Sequence, residues 1–201
     1  MPYWVTRTNK PLPAEFYDRD AADVARSLLG CIVESRIRGV KTSGKIVEVE
    51  AYLGVDDPAA HCFGGRRTDR TEPMFGSPGT AYVYFTYGMH WCMNAVTGPV
   101  DHASAVLIRA LEPLQGIAAM SRRRGTRVEY QLCSGPAKLS QALGVTGRLN
   151  FHPLQDSPLQ IKGPADQLHD VSSGPRIGIS QAKDWPLRFT VRGSSWLSRG
   201  A

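Results

Sequence analysis

The sequence predicts a mixed α/β fold of the α+β kind. It is expected to form one compact domain over residues 1–201, with a curved, mainly antiparallel sheet, a protruding β-hairpin and several short helices. Three observations predict it. Residues 44–54, GKIVEVEAYLG, alternate in polarity between two glycines, which is the period of a strand. Residues 80–96, TAYVYFTYGMHWCMNAV, alternate again, are rich in aromatic and β-branched side chains, and carry Tyr87-Gly88 at their centre, as a hairpin would. The rest holds short helical stretches with recognisable starts and stops, and no internal repeat, low-complexity tract or clear linker.

The elements follow in order. In 18–30, Asp20 can cap a helix, Val24, Leu28 and Leu29 share a face, and Gly30 sits where a left-handed stop belongs. Residues 31–37 read as a strand, and the turn 38–43 leads into the strand 44–54, so the two form a hairpin. On that strand Lys45, Val47, Val49, Ala51 and Leu53 point one way, and Ile46, Glu48, Glu50 and Tyr52 the other. The second face is either a catalytic wall or the solvated outside of an edge strand. Residues 55–77 form a long irregular loop, with Met74 and Phe75 folding back onto the body.

The hairpin register can be argued from strain. A two-residue Tyr87-Gly88 turn would force φ > 0 on a bulky tyrosine. A three-residue loop, Thr86-Tyr87-Gly88, avoids this and pairs Phe85 with Met89, Tyr84 with His90, Tyr82 with Cys92 and Thr80 with Asn94. Tyr82, Tyr84, His90, Cys92 and Asn94 then share a face, and Tyr87 stands at the tip. There it either meets a partner or packs back on the body. Residues 105–110 form a buried strand in which Arg109 needs an anion partner, unless it ends the strand in solvent. Residues 114–123 and 134–143 read as helices, stopped by Gly125 and Gly144. Residues 159–162, 176–180 and 187–192 read as short strands.

The net charge of +6 suits a polyanionic partner, as do the clusters Arg66, Arg67, Arg70 and Arg122, Arg123, Arg124, Arg127, which are otherwise solvated faces. The start, MPYWVTRTNKPLP, lacks the apolar core of a signal peptide, and no apolar run is long enough to span a membrane. A cytoplasmic, nucleoid-associated location follows, or a nuclear one in a eukaryote. The four cysteines are widely spaced without zinc-like pairing, so a metal site is not expected and buried thiols are. Phosphate-binding, dinucleotide, serine-elbow and zinc-protease motifs are all missing.

KIVEVEAYLG, followed by Asp57-Pro58-Ala59-Ala60-His61 and Gly64-Gly65-Arg66, resembles the alkyladenine (3-methyladenine) DNA glycosylase family. So do MFGSPGTAYVYFTYGMHWCMN, LIRALEP, LCSGPAKLSQALG, PRIGIS and PLRFTVRGSSWLS, in the family's order and over most of the chain. The resemblance implies a single-domain mixed α/β fold, no metal or cofactor, and hydrolytic removal of alkylated or deaminated purines from damaged double-stranded DNA. The lesions implied are of the 3-methyladenine, 7-methylguanine, hypoxanthine and ethenoadenine class. Residue by residue, it implies Glu50 as the general base that activates water and Arg109 as the group that holds it. Tyr52, His61 and Tyr84 become walls of the base pocket, Asn94 the residue that excludes guanine, and Tyr87 the wedge that replaces the extruded nucleotide. Met89, His90, Arg66, Arg67 and Lys138 are the further expected DNA contacts. A monomer would suffice. The competing readings are a non-catalytic DNA-binding protein and a hydrolase of free nucleosides.

Overall fold

Strand β2 (Val40–Tyr52) is the centre of an eight-stranded sheet. The computed structural model describes residues 9–164 and 170–198. The sequence readings for residues 1–8 and 165–169 lie outside the described residues. Along one side, β2 pairs with β5 (Ser104–Gln115). Along the other it pairs first with β1 (Ile32–Ile37) and then, at Glu48–Glu50, with β8 (Arg188–Val191). Beyond β5 lie β4 (His90–Thr97) and β3 (Ala81–Thr86). Beyond β1 lies β6 (Leu159–Lys162), and β7 (Val171–Gly174) flanks β8. Every described pairing is antiparallel.

The strict alternation read into 44–54 fails at one point. The β2–β5 register slips between Ile46 and Glu48, so Val47 sits in a bulge. A bulge adds a residue and resets which face follows. Ile46, Val47, Val49 and Ala51 therefore all reach the main core, while Glu48 and Glu50 are fully buried outside it. The second face is not a solvated outside.

Helices α1 (Ala14–Tyr17), α2 (Ala21–Leu28), α3 (Ile117–Arg124), α4 (Tyr130–Cys133) and α5 (Pro136–Leu143) cover the apolar face. Asp20 caps α2 as expected, accepting from the Ala22 amide at 2.8 Å, a contact worth about 1 kcal/mol. Val24 and Leu28 of α2, Leu132 of α4 and Leu139 and Leu143 of α5 are buried in one cluster with Ile46, Ile108 and Leu111. Each such side chain contributes roughly 1.5–3 kcal/mol on burial. Met74 and Phe75 do fold back, into a second cluster with Tyr82, Val96 and Ala105.

Four local expectations change. The β1–β2 turn is tight, with Arg38 and Gly39 both at positive φ, so β2 starts at Val40. Residues 114 and 115 stay in β5 and α3 begins at Ile117, because the chain reverses at Gly116. Its φ is +77°, and a Cβ there would lie 2.4 Å from the Lys41 carbonyl. Residues 176–180 are not a strand; the strand before β8 is β7. The hairpin register is shifted by two residues: Tyr82 pairs with Asn94, Tyr84 with Cys92 and Thr86 with His90. Tyr87 adopts φ +50°, the conformation that the strain argument rejected. An even shift keeps side chains on their faces, so the grouping of Tyr82, Tyr84, Cys92 and Asn94 survives the wrong register.

Candidate active site

The β2–β5 register slips again between Glu48 and Val49, so that Glu48 sits opposite Ala110 and Glu50 opposite Leu107, with Arg109 the extra residue between them on β5. Arg109 is 7% exposed and lies inside β5, so it neither ends the strand nor stands in bulk solvent. Its Nη1 lies 3.2 Å from Glu50 Oε1, and its Nε donates to Glu48 Oε1 at 3.0 Å. A buried guanidinium requires such partners. Glu50 is fully buried and also accepts from the Tyr52 hydroxyl at 2.9 Å and the Ile177 amide at 2.7 Å. A carboxylate has about four acceptor positions. Three are used, which leaves one for a further donor. Burial first, and then the Glu50 charge, pushes the Tyr52 hydroxyl well above its usual pKa, so it stays a donor.

Above this floor is a cavity of about 420 Å³, lined by Tyr52, His61, Tyr84, Asn94, Arg109 and the segment 177–180 among others. Its size falls in the range of small-molecule sites. His61 and Tyr84 meet edge to face, with centroids 4.7 Å apart. Tyr82 shares a 2.8 Å hydrogen bond with His61 Nδ1. Burial of the ring, then the charges of Arg70 and Arg66, lowers the His61 imidazole to about 4, so it is neutral at physiological pH. Asn94 donates through Nδ2 to the Tyr82 carbonyl at 2.9 Å. Its amide oxygen is the group of this side chain not engaged by that bond.

The walls are braced from behind. The Arg176 guanidinium bonds both oxygens of Asp57, with Nη2 to Oδ1 at 2.9 Å, donates to the Ala51 carbonyl, and stacks 4.7 Å from the Tyr52 centroid. Burial opposes the charge on Asp57, but Arg176 and the Ala59 and Leu53 amides outweigh it and hold the carboxyl below its usual value. Glu48 has the same balance. Burial is outweighed by the Ser198 amide and hydroxyl, Arg109 and Arg188.

The expected DNA contacts do not behave alike. Tyr87 is 85% exposed and Met89 68%, and Tyr87 reaches the cavity mouth without packing back on the body. His90 is half-buried and lines a separate groove with Met89 and Trp91. Arg66 lines a small concavity of about 240 Å³ beside His61, with Thr68, Arg70 and Thr71. Arg67 is tied to Glu72 and Asp101 and lies over Phe75. Lys138 holds the Ser134 hydroxyl at 3.3 Å, beside Pro136 of the cavity lining. The four cysteines are free and buried. Burial raises their thiols, to about 12 at Cys31 and Cys133 and about 11 at Cys62. Among the described residues, no group of three or more His, Cys, Asp or Glu is placed to hold a metal ion.

Sequence reasoning missed the roles of Glu48, Asp57, Arg176, Ile177, Arg188 and Ser198. Arg109's need for an anion was a signal for Glu48. The Asp57–Arg176 pair spans 119 residues and left no local signal.

A buried, hydrogen-bonded carboxylate beneath aromatic walls suits an enzyme that clasps a flat ring and hydrolyses a bond beside it. The family model described as methylpurine-DNA glycosylase matches residues 15–195. Similar proteins provisionally named 3-methyladenine DNA glycosylase come from three organisms. That of Methanoculleus marisnigri is 50% identical over 94% of this chain and 98% of its own. That of Carboxydothermus hydrogenoformans is 47% identical over 94% and 98%. That of Agrobacterium fabrum is 48% identical over 94% and 92%. The chain belongs to the methylpurine-DNA glycosylase family. It is thus a hydrolase of N-glycosyl bonds that acts on DNA, in the repair of alkylation damage. No helix among the described residues is long and apolar enough to cross a membrane.

Proposed function

We propose that the chain is a monofunctional DNA glycosylase that extrudes a damaged purine from duplex DNA and hydrolyses its N-glycosidic bond with water activated by Glu50. The carrying observation is Glu50 itself, buried and held by Tyr52, Ile177 and Arg109 with one acceptor position to spare. Water placed there gives a proton to Glu50 while its oxygen attacks C1′ of the sugar. The C–N bond breaks and its electron pair leaves with the base. The carboxylate also favours the oxocarbenium-like sugar. A cationic base such as 3-methyladenine leaves neutral and needs no acid. Tyr52 and Tyr84 are suited to hold the base, and their faces favour a cation by roughly 0.5–2 kcal/mol. Asn94 at the wall fits the exclusion of guanine's 2-amino group.

Extrusion costs a few kcal/mol, least where damage weakens pairing. Tyr87, exposed at the hairpin tip, is suited to fill the gap. The reading extends to 7-methylguanine, hypoxanthine and ethenoadenine, and to a monomer, since one chain supplies every group named. The test is a glycosylase assay on duplexes carrying 3-methyladenine or hypoxanthine. Free base and an alkali-labile abasic strand are expected. Duplex binding without base release would make the chain a binding module. Release from free nucleosides alone would make it a nucleoside hydrolase.

A further inference from the structure

We propose that Glu48 is a positioning residue of the hydrolytic site: it sets the orientation of Arg109 and shares its charge, so that Arg109 holds the Glu50 carboxylate where it takes a proton from water. The inference rests on the proposed role of Glu50. Glu48 is fully buried like Glu50, but its oxygens are taken by Arg109, Arg188 and Ser198, which leaves it to act through these neighbours rather than on substrate.

The geometry is a closed arrangement of two carboxylates and two guanidiniums. Arg109 has three nitrogens, and each has a different partner. Nε donates to Glu48 at 3.0 Å, Nη1 lies 3.2 Å from Glu50, and Nη2 donates to the Ser198 hydroxyl at 3.3 Å. The contact to Glu50 is therefore aimed by the other two. Glu48 in turn is held on four sides. Oε1 accepts from Arg109, from Arg188 Nε at 2.8 Å and from the Ser198 hydroxyl at 2.7 Å, and Oε2 accepts from the Ser198 amide at 2.6 Å. Bonds of this kind to an ionised acceptor are the strong ones.

The charge balance matters as much as the aim. A cation beside a carboxylate favours its charged, less basic form, and a second anion opposes this. The groups around Glu50 are Tyr52 on β2, Arg109 from β5, the Ile177 amide, and the Asp57–Arg176 pair behind Tyr52. Around Glu48 they are Arg109, Arg188 from β8 and Ser198. Without Glu48, both guanidiniums would bear on one carboxylate. Without Arg188, the Glu48 charge would be less fully balanced beside Glu50.

The test is the pH profile of single-turnover base release on a hypoxanthine duplex, with abasic-site duplex binding and thermal melting measured alongside. Glu48→Gln should lower the maximal rate about 10- to 100-fold, as small misplacements of a reacting group do. It should also move the acid limb down by roughly half to one pH unit, with abasic-site binding kept. Arg188→Gln should move the acid limb up. Ser198→Ala, which changes no charge, should slow base release and leave the acid limb in place. A purely structural role would lower melting and active fraction with no shift of the limb, and that result overturns the proposal. So do shifts of the same sign in Glu48→Gln and Arg188→Gln. If Glu48→Gln does not fold, the direction in Arg188→Gln decides. Wild-type protein that releases no base would instead overturn the proposed function, so the two failures are distinguishable.

Discussion

The floor of the cavity and the tip of the hairpin are built in opposite ways. On the floor, Glu48, Glu50 and Asp57 are fully buried, and each has at least three partners. At the tip, Tyr87 is 85% exposed and held at positive φ. That conformation costs a bulky residue about 1–2 kcal/mol, and so exposed a side chain has little contact with its own chain to offset it. A proton acceptor works from one fixed place in a low dielectric, where each missing partner is expensive. A side chain that must enter another molecule has to project free of its own fold. Strain of this kind, sustained by the strand ladder beneath it, clusters at functional positions. The difference teaches that the chemistry is over-determined by the fold, while the contact with DNA is left for DNA to complete.

The sharpest way to break this comparison is to cross its two halves. Glu50→Gln should reduce base release by about 10²–10⁴-fold and leave binding to abasic-site duplex intact. Normal turnover in that variant would remove the floor from the chemistry. Asp57→Ala should cost about 3–5 kcal/mol of stability in denaturant melts, because it strands the buried Arg176 charge. A loss under 1 kcal/mol would show that the floor is not over-determined.

Tyr87→Asn tests the other half. Asn tolerates the left-handed conformation, so melting should not fall. Loss of an aromatic platform should weaken capture of the extruded base by roughly 5- to 100-fold, read by fluorescence of a base analogue opposite the lesion. A drop in melting with capture intact would place Tyr87 in the fold rather than in the contact.

Acid should act on the floor and not on the tip. The Glu48 and Asp57 carboxyls are held below their usual values, so their contribution is fully present above the unfolded carboxyl pKa of about 4. It is lost as pH falls through their folded values. Melting temperature should be flat above about pH 5 and decline below about pH 4; a rise toward acid would contradict the assignment. The smallest effect is expected at Arg67. Its guanidinium is already spent on Glu72 and Asp101, so Arg67→Ala should barely change the salt dependence of DNA binding. Arg66→Ala should reduce the slope by about one.

What was legible in the residues depended on range. The cap at Asp20, the stops at Gly30, Gly125 and Gly144, and the strand 159–162 are short-range patterns, and the structure contains them. The hairpin was legible as an element and in its faces, yet its register was misread. The local strain at Tyr87 is outweighed by the ladder from Tyr82–Asn94 to Thr86–His90. The strand proposed at 176–180 failed because that segment spends its Ile177 amide on Glu50 and its Arg176 on Asp57. A sequence window cannot see such partners.

The sequence by itself determined the fold class, the face shared by Tyr84 and Asn94, and the oddity of Glu48, Glu50, Tyr52 and Arg109 in ordinary strands, while the choice of Glu50 came from the family resemblance. It did so through periodicity, which acts between near neighbours. Only the tertiary structure decided that Glu48 shares Arg109 with Glu50, that Ser198 reaches back 150 residues to hold Glu48, and that Arg67 is already paired. The Glu48 contacts depend on register slips on both sides of it and on strand order. Both are set by how the whole core packs, and neither leaves a period to read.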